Sequence, residues 1–241
     1  MHNSYMAISY RKRRIIVFFV SLIFFCVVII INTPKQTIVE KTKSTVTIAN
    51  STVAAGSSQM ALEDLTIKGR APKTGYSRDQ FGKDWSKTNG CDTRNIILNR
   101  DLFNVKVNDK CEVVSGILND PYTGKTIQFT RGSDSSSAIQ IDHVVALSDA
   151  WQKGAQQFTS AMRIALANDP LELLAVDGPA NIQKSDGDAA TWLPSNKPFR
   201  CQYVARQIAV KQKYKLWVTQ AEHDAITVVL SKCPGQLLPS P

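Results

Sequence analysis

The chain has 241 residues, 43% of them hydrophobic and 8% aromatic, which bounds it to one medium globular domain with accessory segments. The formal charge is +9, but Arg11, Lys12, Arg13 and Arg14 supply four of those charges, and no Asp or Glu precedes residue 33. The remaining 25 basic and 20 acidic residues leave a surplus too mild to assign a nucleic-acid partner by itself.

The basic cluster leads directly into an apolar, uncharged run from Ile15 to Ile31. Its 17 residues sit at the short limit for crossing a bilayer of about 30 Å. Residues 1–14 read as a cytoplasmic basic tail and 15–32 as a transmembrane anchor or signal segment, with the remainder exported. The protein is thus expected to be anchored with its domain outside, or secreted if the segment is cleaved. Residues 33–70, rich in Thr, Ser, Lys and Ala, read as a flexible linker because they bury too little to offset their ordering entropy.

The folded domain is expected over 71–234, followed by a short tail at 235–241. Ser77 caps a short helix at Tyr76–Phe81, and a second helix follows over Thr93–Leu102. The β-formers at 112–118 and 125–130 flank Asn119-Asp120-Pro121-Tyr122-Thr123-Gly124, a hairpin signal. An alternating strand, Ile139-Gln140-Ile141-Asp142-His143, comes next. Helical patterns then run to Ala155 and over Thr159–Asn168. The apolar run Leu171–Val176 reads as a buried strand, and Pro179 opens a helix carrying Asn181 and Lys184. The C-terminal third is helical, with Thr219-Gln220-Ala221-Glu222 in the form of a capping box.

Four cysteines, Cys91, Cys111, Cys201 and Cys233, lie in the segment expected to be exported, and four allow three connectivities. The sequence-local pairing, Cys91–Cys111 with Cys201–Cys233, is the expectation. A zinc finger is disfavoured, because the chain has no C-x-x-C and its spacings match no compact finger.

His143 is one of only three histidines, and His2 falls in the basic tail. Imidazole is the side chain whose unperturbed pKa suits acid–base chemistry near neutrality. Asp142 beside it offers oxygens to a hard cation, and Asn181 at the next helix start offers another. The order strand, strand, helix then describes an α+β fold with a ββα-metal core, an added N-terminal hairpin and C-terminal helices. Within it, His143 would take a proton from water while Asp142 and Asn181 hold the ion; Asn181 as a mere helix cap is the competing reading. Lys184 is a candidate to neutralise phosphate charge, and Arg131, Arg206 and Lys211 are candidates for a nucleic-acid track.

Further segments carry a family likeness: Tyr76–Phe81, Gly90–Asn95, Asp120–Gly124, Gln140–Leu147 with Asp149-Ala150-Trp151, Leu173–Gly178, Asn181, Lys184, Asp186, Asp188–Ala190 and Trp192-Leu193-Pro194. Together they resemble the secreted His-Me finger (HNH-type) endonucleases related to the C-terminal domain of GmrSD-type restriction enzymes. The resemblance implies metal-dependent cleavage of DNA, with RNA as a second candidate. It also implies His143 as general base and Asp142 and Asn181 on Mg²⁺, with Mn²⁺ or Ca²⁺ as alternatives. Sites of this type often carry an orienting Asn near the start of the second strand. Here Glu172 stands there, with Asn168 four residues earlier as a possible substitute. Two rival functions belong to other classes: an exported nucleic-acid-binding or envelope protein without catalysis, and a cell-wall hydrolase using Asp142 or Glu172.

Overall fold

A computed structural model describes residues 57–132 and 136–239. The basic tail and the apolar run at 15–32 lie outside the described residues. Among the described residues no helix is long and apolar enough to cross a membrane.

The domain starts earlier than its composition indicates. Helix α1 (Ser58–Glu63) is capped by Ser57, whose Oγ accepts from Met60 N, and it buries Ala61 and Leu62. Residues assigned above to the linker therefore belong to the core. The C-terminal tail is also engaged: Ser57 bridges Leu237, and Ser58 N donates to Gln236 O at 2.8 Å. A six-residue helix gains its stability from docking rather than propensity, so local composition does not announce it.

Two short strands, β1 (Lys87–Thr88) and β2 (Cys91–Asp92), precede α2 (Thr93–Asp101), capped by Asp92 through Asn95 N. The expected hairpin is β4 (Val113–Asn119) with β5 (Thr126–Thr130). A third antiparallel strand, β3 (Phe103–Val107), joins it in the order β3-β4-β5. Phe103-Asn104-Val105-Lys106-Val107 does alternate apolar and polar residues, a strand signal missing from the expected order of elements, although Phe103 and Val107 stay exposed.

The two strands that carry the site candidates, β6 (Ile139–His143) and β7 (Leu173–Asp177), pair antiparallel, with His143 opposite Leu173 and Ile139 opposite Asp177. Between them run α3 (Leu147–Gln152) and α4 (Ser160–Ala167). Ile139, Ile141, Leu173 and Ala175 enter a core shared with α2, while Leu174 and Val176 enter the larger helical core. This strand periodicity sends Asp142 and His143 to opposite faces. The outer edge of β7 is covered by side chains. Leu173 O accepts from Arg100 at 2.7 Å, and the N–H groups of Ala175 and Asp177 donate to Asp101 and Asp120, each at 2.8 Å. An edge so occupied offers no template for another strand.

Helix α5 (Gly178–Lys184) follows β7 at once, with Asp177 accepting from Ala180 N and Pro179 in its first turn. Asp177, not Asn181, is therefore the cap. Gly178 is obligatory here, because a Cβ would lie 2.2 Å from Ser137 O. Helices α6 (Arg200–Tyr214) and α7 (Gln220–Leu230) close the domain. The disulfides are Cys91–Cys111 and Cys201–Cys233, with Cα–Cα distances of 5.3 and 6.4 Å. By chain-entropy reasoning each contributes about 3 kcal/mol.

Candidate active site

His143 ends β6, buried to 5% exposure, and its ring stacks on Trp85 with centroids 5.7 Å apart. Its Nε2 lies 3.0 Å from Ala167 O. A carbonyl only accepts, so Nε2 carries the hydrogen and Nδ1 keeps its lone pair. Burial, aided by the nearby Arg78, pushes the imidazole down to about 3 against the pull of the Ala167 carbonyl. The ring is thus neutral at physiological pH, and the same burial makes it a weaker base than a free imidazole, so a proton taken here needs the developing charge to be offset by the site.

Asn168 stands behind this arrangement. It ends α4, its Nδ2 donates to Ile164 O, and its Oδ1 accepts from Ser86 N at 2.9 Å. It therefore fastens the segment bearing Trp85 to the helix end bearing Ala167 O.

Glu172 is fully buried, and its Oε2 accepts from Val145 N at 3.2 Å. Its Oε1 has no hydrogen-bond partner among the described residues. Burial pushes this carboxyl well above the usual range, outweighing the Val145 bond and Lys184. A raised acid favours folding below its ordinary pKa, and that contribution is lost as pH rises towards the folded value. Glu172→Gln keeps the acceptor and removes the titration. It is expected to raise the melting temperature at pH 7 relative to the parent, by an increment that shrinks towards pH 4. Thermal denaturation at the two pH values measures it, with up to about 1.4 kcal/mol at stake per pH unit.

Asp142 is held from two sides. Tyr122 OH donates to Oδ2, and Lys184 Nζ donates to Oδ1 at 2.9 Å. Lys184 also donates to His143 O at 2.8 Å and is itself 2% exposed. Burial pushes the Asp142 carboxyl up, and Lys184 and Tyr122 hold it back. Asn181 donates through Nδ2 to Gln140 Oε1 at 2.9 Å, which leaves its amide oxygen without a partner among the described residues.

Asp142, His143 and Asn181 line one cleft of about 380 Å³, together with Lys73, Tyr76, Arg78, Ser148 and Asp186. Among the described residues no group of three His, Cys, Asp or Glu side chains is placed to hold a metal. Asp142, whose two oxygens already accept from Tyr122 and Lys184, and Asn181, through its amide oxygen, are the residues that would hold an ion here. Oxygen donors of this kind suit a hard cation.

The other cations named from the sequence have structural partners. Arg131 donates to Val113 O at 2.8 Å and to Asn95. Arg206 donates to Leu171 O at 3.0 Å. Lys211 cannot belong to a surface track: it is 0% exposed, with its ammonium 2.8 Å from Glu222 Oε1. Lys184 faces the Asp142 carboxylate rather than solvent. Three residues given no role in the sequence reading shape the site: Trp85, Tyr122 and Arg78. Tyr122 and Arg78 fall in segments that carry the family likeness, so a signal existed, but only the fold brings Tyr122 to Asp142 and Arg78 into the cleft with His143.

The profile of the family "GmrSD restriction endonucleases, C-terminal domain" matches residues 92–229. The chain belongs to this family. A protein of Arthroderma benhamiae described as an uncharacterized secreted protein is 39% identical over 183 residues, spanning 75% of this chain and 86% of that one. No solved structure matches significantly. The matched region takes in Tyr122, Asp142, His143, Asn168, Asn181 and Lys184, but not Trp85 or Arg78. Three cleft-lining residues outside it, Lys73, Tyr76 and Arg78, are thus contributed by the segment that precedes the family region.

Proposed function

We propose that the protein is an exported, metal-dependent endonuclease of HNH type that hydrolyses phosphodiester bonds of DNA, and secondarily RNA, with little sequence preference. The observation that carries this reading is the neutral His143, buried, oriented by Trp85 and Ala167, and lining one cleft with Asp142 and the open oxygen of Asn181. His143 takes a proton from the attacking water at Nδ1 while Nε2 stays bonded to Ala167. Asp142 and Asn181 are the ligands of the ion, with Mg²⁺ the first candidate and Mn²⁺ or Ca²⁺ the alternatives. The bound ion supplies charge neutralisation at the phosphate and the leaving oxygen. Weak specificity accords with contacts made to phosphates, which carry little base information.

Export is supported by the two disulfides, by the basic cluster before the apolar run, and by the secreted description of the fungal relative. A wall-hydrolase role through Glu172 is disfavoured, since that carboxyl is sealed from solvent.

The test is plasmid degradation by the full chain in Mg²⁺, Mn²⁺ or Ca²⁺, with and without EDTA. Cleavage should vanish in EDTA, and His143→Ala should lower it by about 10²–10⁴-fold. DNA binding without cleavage in any of the three ions would sink the reading in favour of a binding protein.

A further inference from the structure

The cations that the sequence offers for phosphate charge are all occupied within the fold. Lys184 is bound to Asp142 and His143 O, Lys211 to Glu222, and Arg131 and Arg206 to backbone carbonyls. The candidate cleft nonetheless has two cations on its wall, Lys73 and Arg78. Lys73 is paired, its Nζ 3.0 Å from Asp186 Oδ2. Arg78 is exposed, and its guanidinium makes no ion pair or hydrogen bond among the described residues.

The backbone beneath Arg78 is fixed although its guanidinium is free. Arg78 opens the short 3₁₀ turn Arg78–Phe81, whose start is capped by Ser77 Oγ accepting from Asp79 N. Phe81 anchors the turn in the core, 1% exposed and edge-on to Trp151 at 6.4 Å. Gln80 ties it down twice, accepting from Arg163 through its carbonyl and donating to Gly75 O. A free guanidinium on a fixed turn, lining the same cleft as a proton-accepting histidine, presents a planar fork of donors. That geometry matches two oxygens of one phosphate.

We infer that Arg78 is the phosphate-binding residue of the cleft, contacting non-bridging oxygens of a nucleic-acid backbone phosphate beside His143. This inference rests on the nuclease reading for its substrate class. A solvated surface arginine without that role is the competing account, and the two differ in what substitution does.

The experiment uses the full chain carrying His143→Ala, which separates binding from turnover. Anisotropy of a fluorescein-labelled DNA duplex is titrated from 50 to 200 mM salt, in roughly four steps that follow counterion release. Arg78→Gln should weaken binding and lower the slope of log K against log salt by about 1. Lys106→Gln, an exposed cation on β3 outside the cleft, serves as the control and should leave the slope unchanged. In the otherwise unsubstituted chain, Arg78→Gln should cut kcat/KM for plasmid cleavage by about 100-fold, the order expected for one lost donor to developing phosphate charge. Arg78→Lys should restore the salt slope but only part of the rate, because an ammonium lacks the fork. A slope and a kcat/KM for Arg78→Gln equal to those of Lys106→Gln overturn the inference. A lost slope in a protein whose parent cleaves nothing supports the phosphate contact while refuting the nuclease reading.

Discussion

Replacing Lys153 by Met is expected to cost about 3–5 kcal/mol of stability, the scale seen when one partner leaves a buried ionic network. The Lys153 ammonium is 0% exposed and touches three carboxylates: Asp149 and Asp188 at 2.8 Å each and Glu222 at 2.6 Å. A second buried ammonium, Lys211, contacts Glu222 at 2.8 Å. Arg70 closes the rim on Asp149 at 3.0 Å and Asp188 at 2.7 Å. Three cations thus face three carboxylates. Burial opposes every charge in the cluster, yet Lys153 is held above its ordinary pKa by Asp149, Glu222 and Asp188. Burial likewise pushes Asp188 up, but Lys153 and Arg70 outweigh it and hold that carboxyl down to about 2. Without Lys153, two cations remain for three carboxylates. The cluster also joins α3, α6, α7 and the segment after α5, so its failure loosens all four. Urea unfolding of the full chain gives the measurement. A loss below about 1 kcal/mol, the scale of an exposed pair, would mean that these ions add nothing beyond packing.

The same cluster shows where sequence reasoning stops. Lysine is read as a surface residue because it is almost never fully buried unless paired, and the pairing is invisible locally. Lys153 meets Glu222 across 69 positions and Lys184 meets Asp142 across 42. The Thr219 cap was legible, and its Oγ1 does accept from Glu222 N at 3.2 Å. The second half of the expected box is absent, because the Glu222 carboxylate turns inward to the two lysines. Elements whose signals are local were readable: the helix after Cys91, the β4–β5 hairpin, the β6 strand ending in Asp142-His143, Pro179 opening α5, and the disulfide pairing. Asn168 was visible only as an Asn near the second strand. Its work depends on Ser86, 82 positions away, and no periodicity encodes that distance. Glu172 stood out because it occupies the place of an expected Asn, and its main-chain oxygen does bond the segment after His143 through Val144 N.

Lys184→Met is expected to remove about 3 kcal/mol of stability and to slow cleavage by about 100-fold, and the two losses have separable causes. The Lys184 ammonium donates to Asp142 Oδ1 and to His143 O, so one group fixes both residues of the Asp-His pair. Its loss leaves the Asp142 carboxylate buried with Tyr122 as its remaining side-chain partner. Burial already pushes that carboxyl up, and Lys184 is the largest influence holding it ionised. The double substitution Lys184→Met/Asp142→Asn removes the unpaired charge. It should recover most of the lost stability, because an amide of the same shape can still accept from Tyr122. Cleavage should stay lost, because the anionic oxygen is gone. A lysine that instead met phosphate from a solvated helix face would give the opposite signature: an unchanged melting temperature, a raised KM and no rescue by Asp142→Asn. A thermal melt and a kcat and KM determination for each of the four proteins in this cycle therefore decide which charge Lys184 serves.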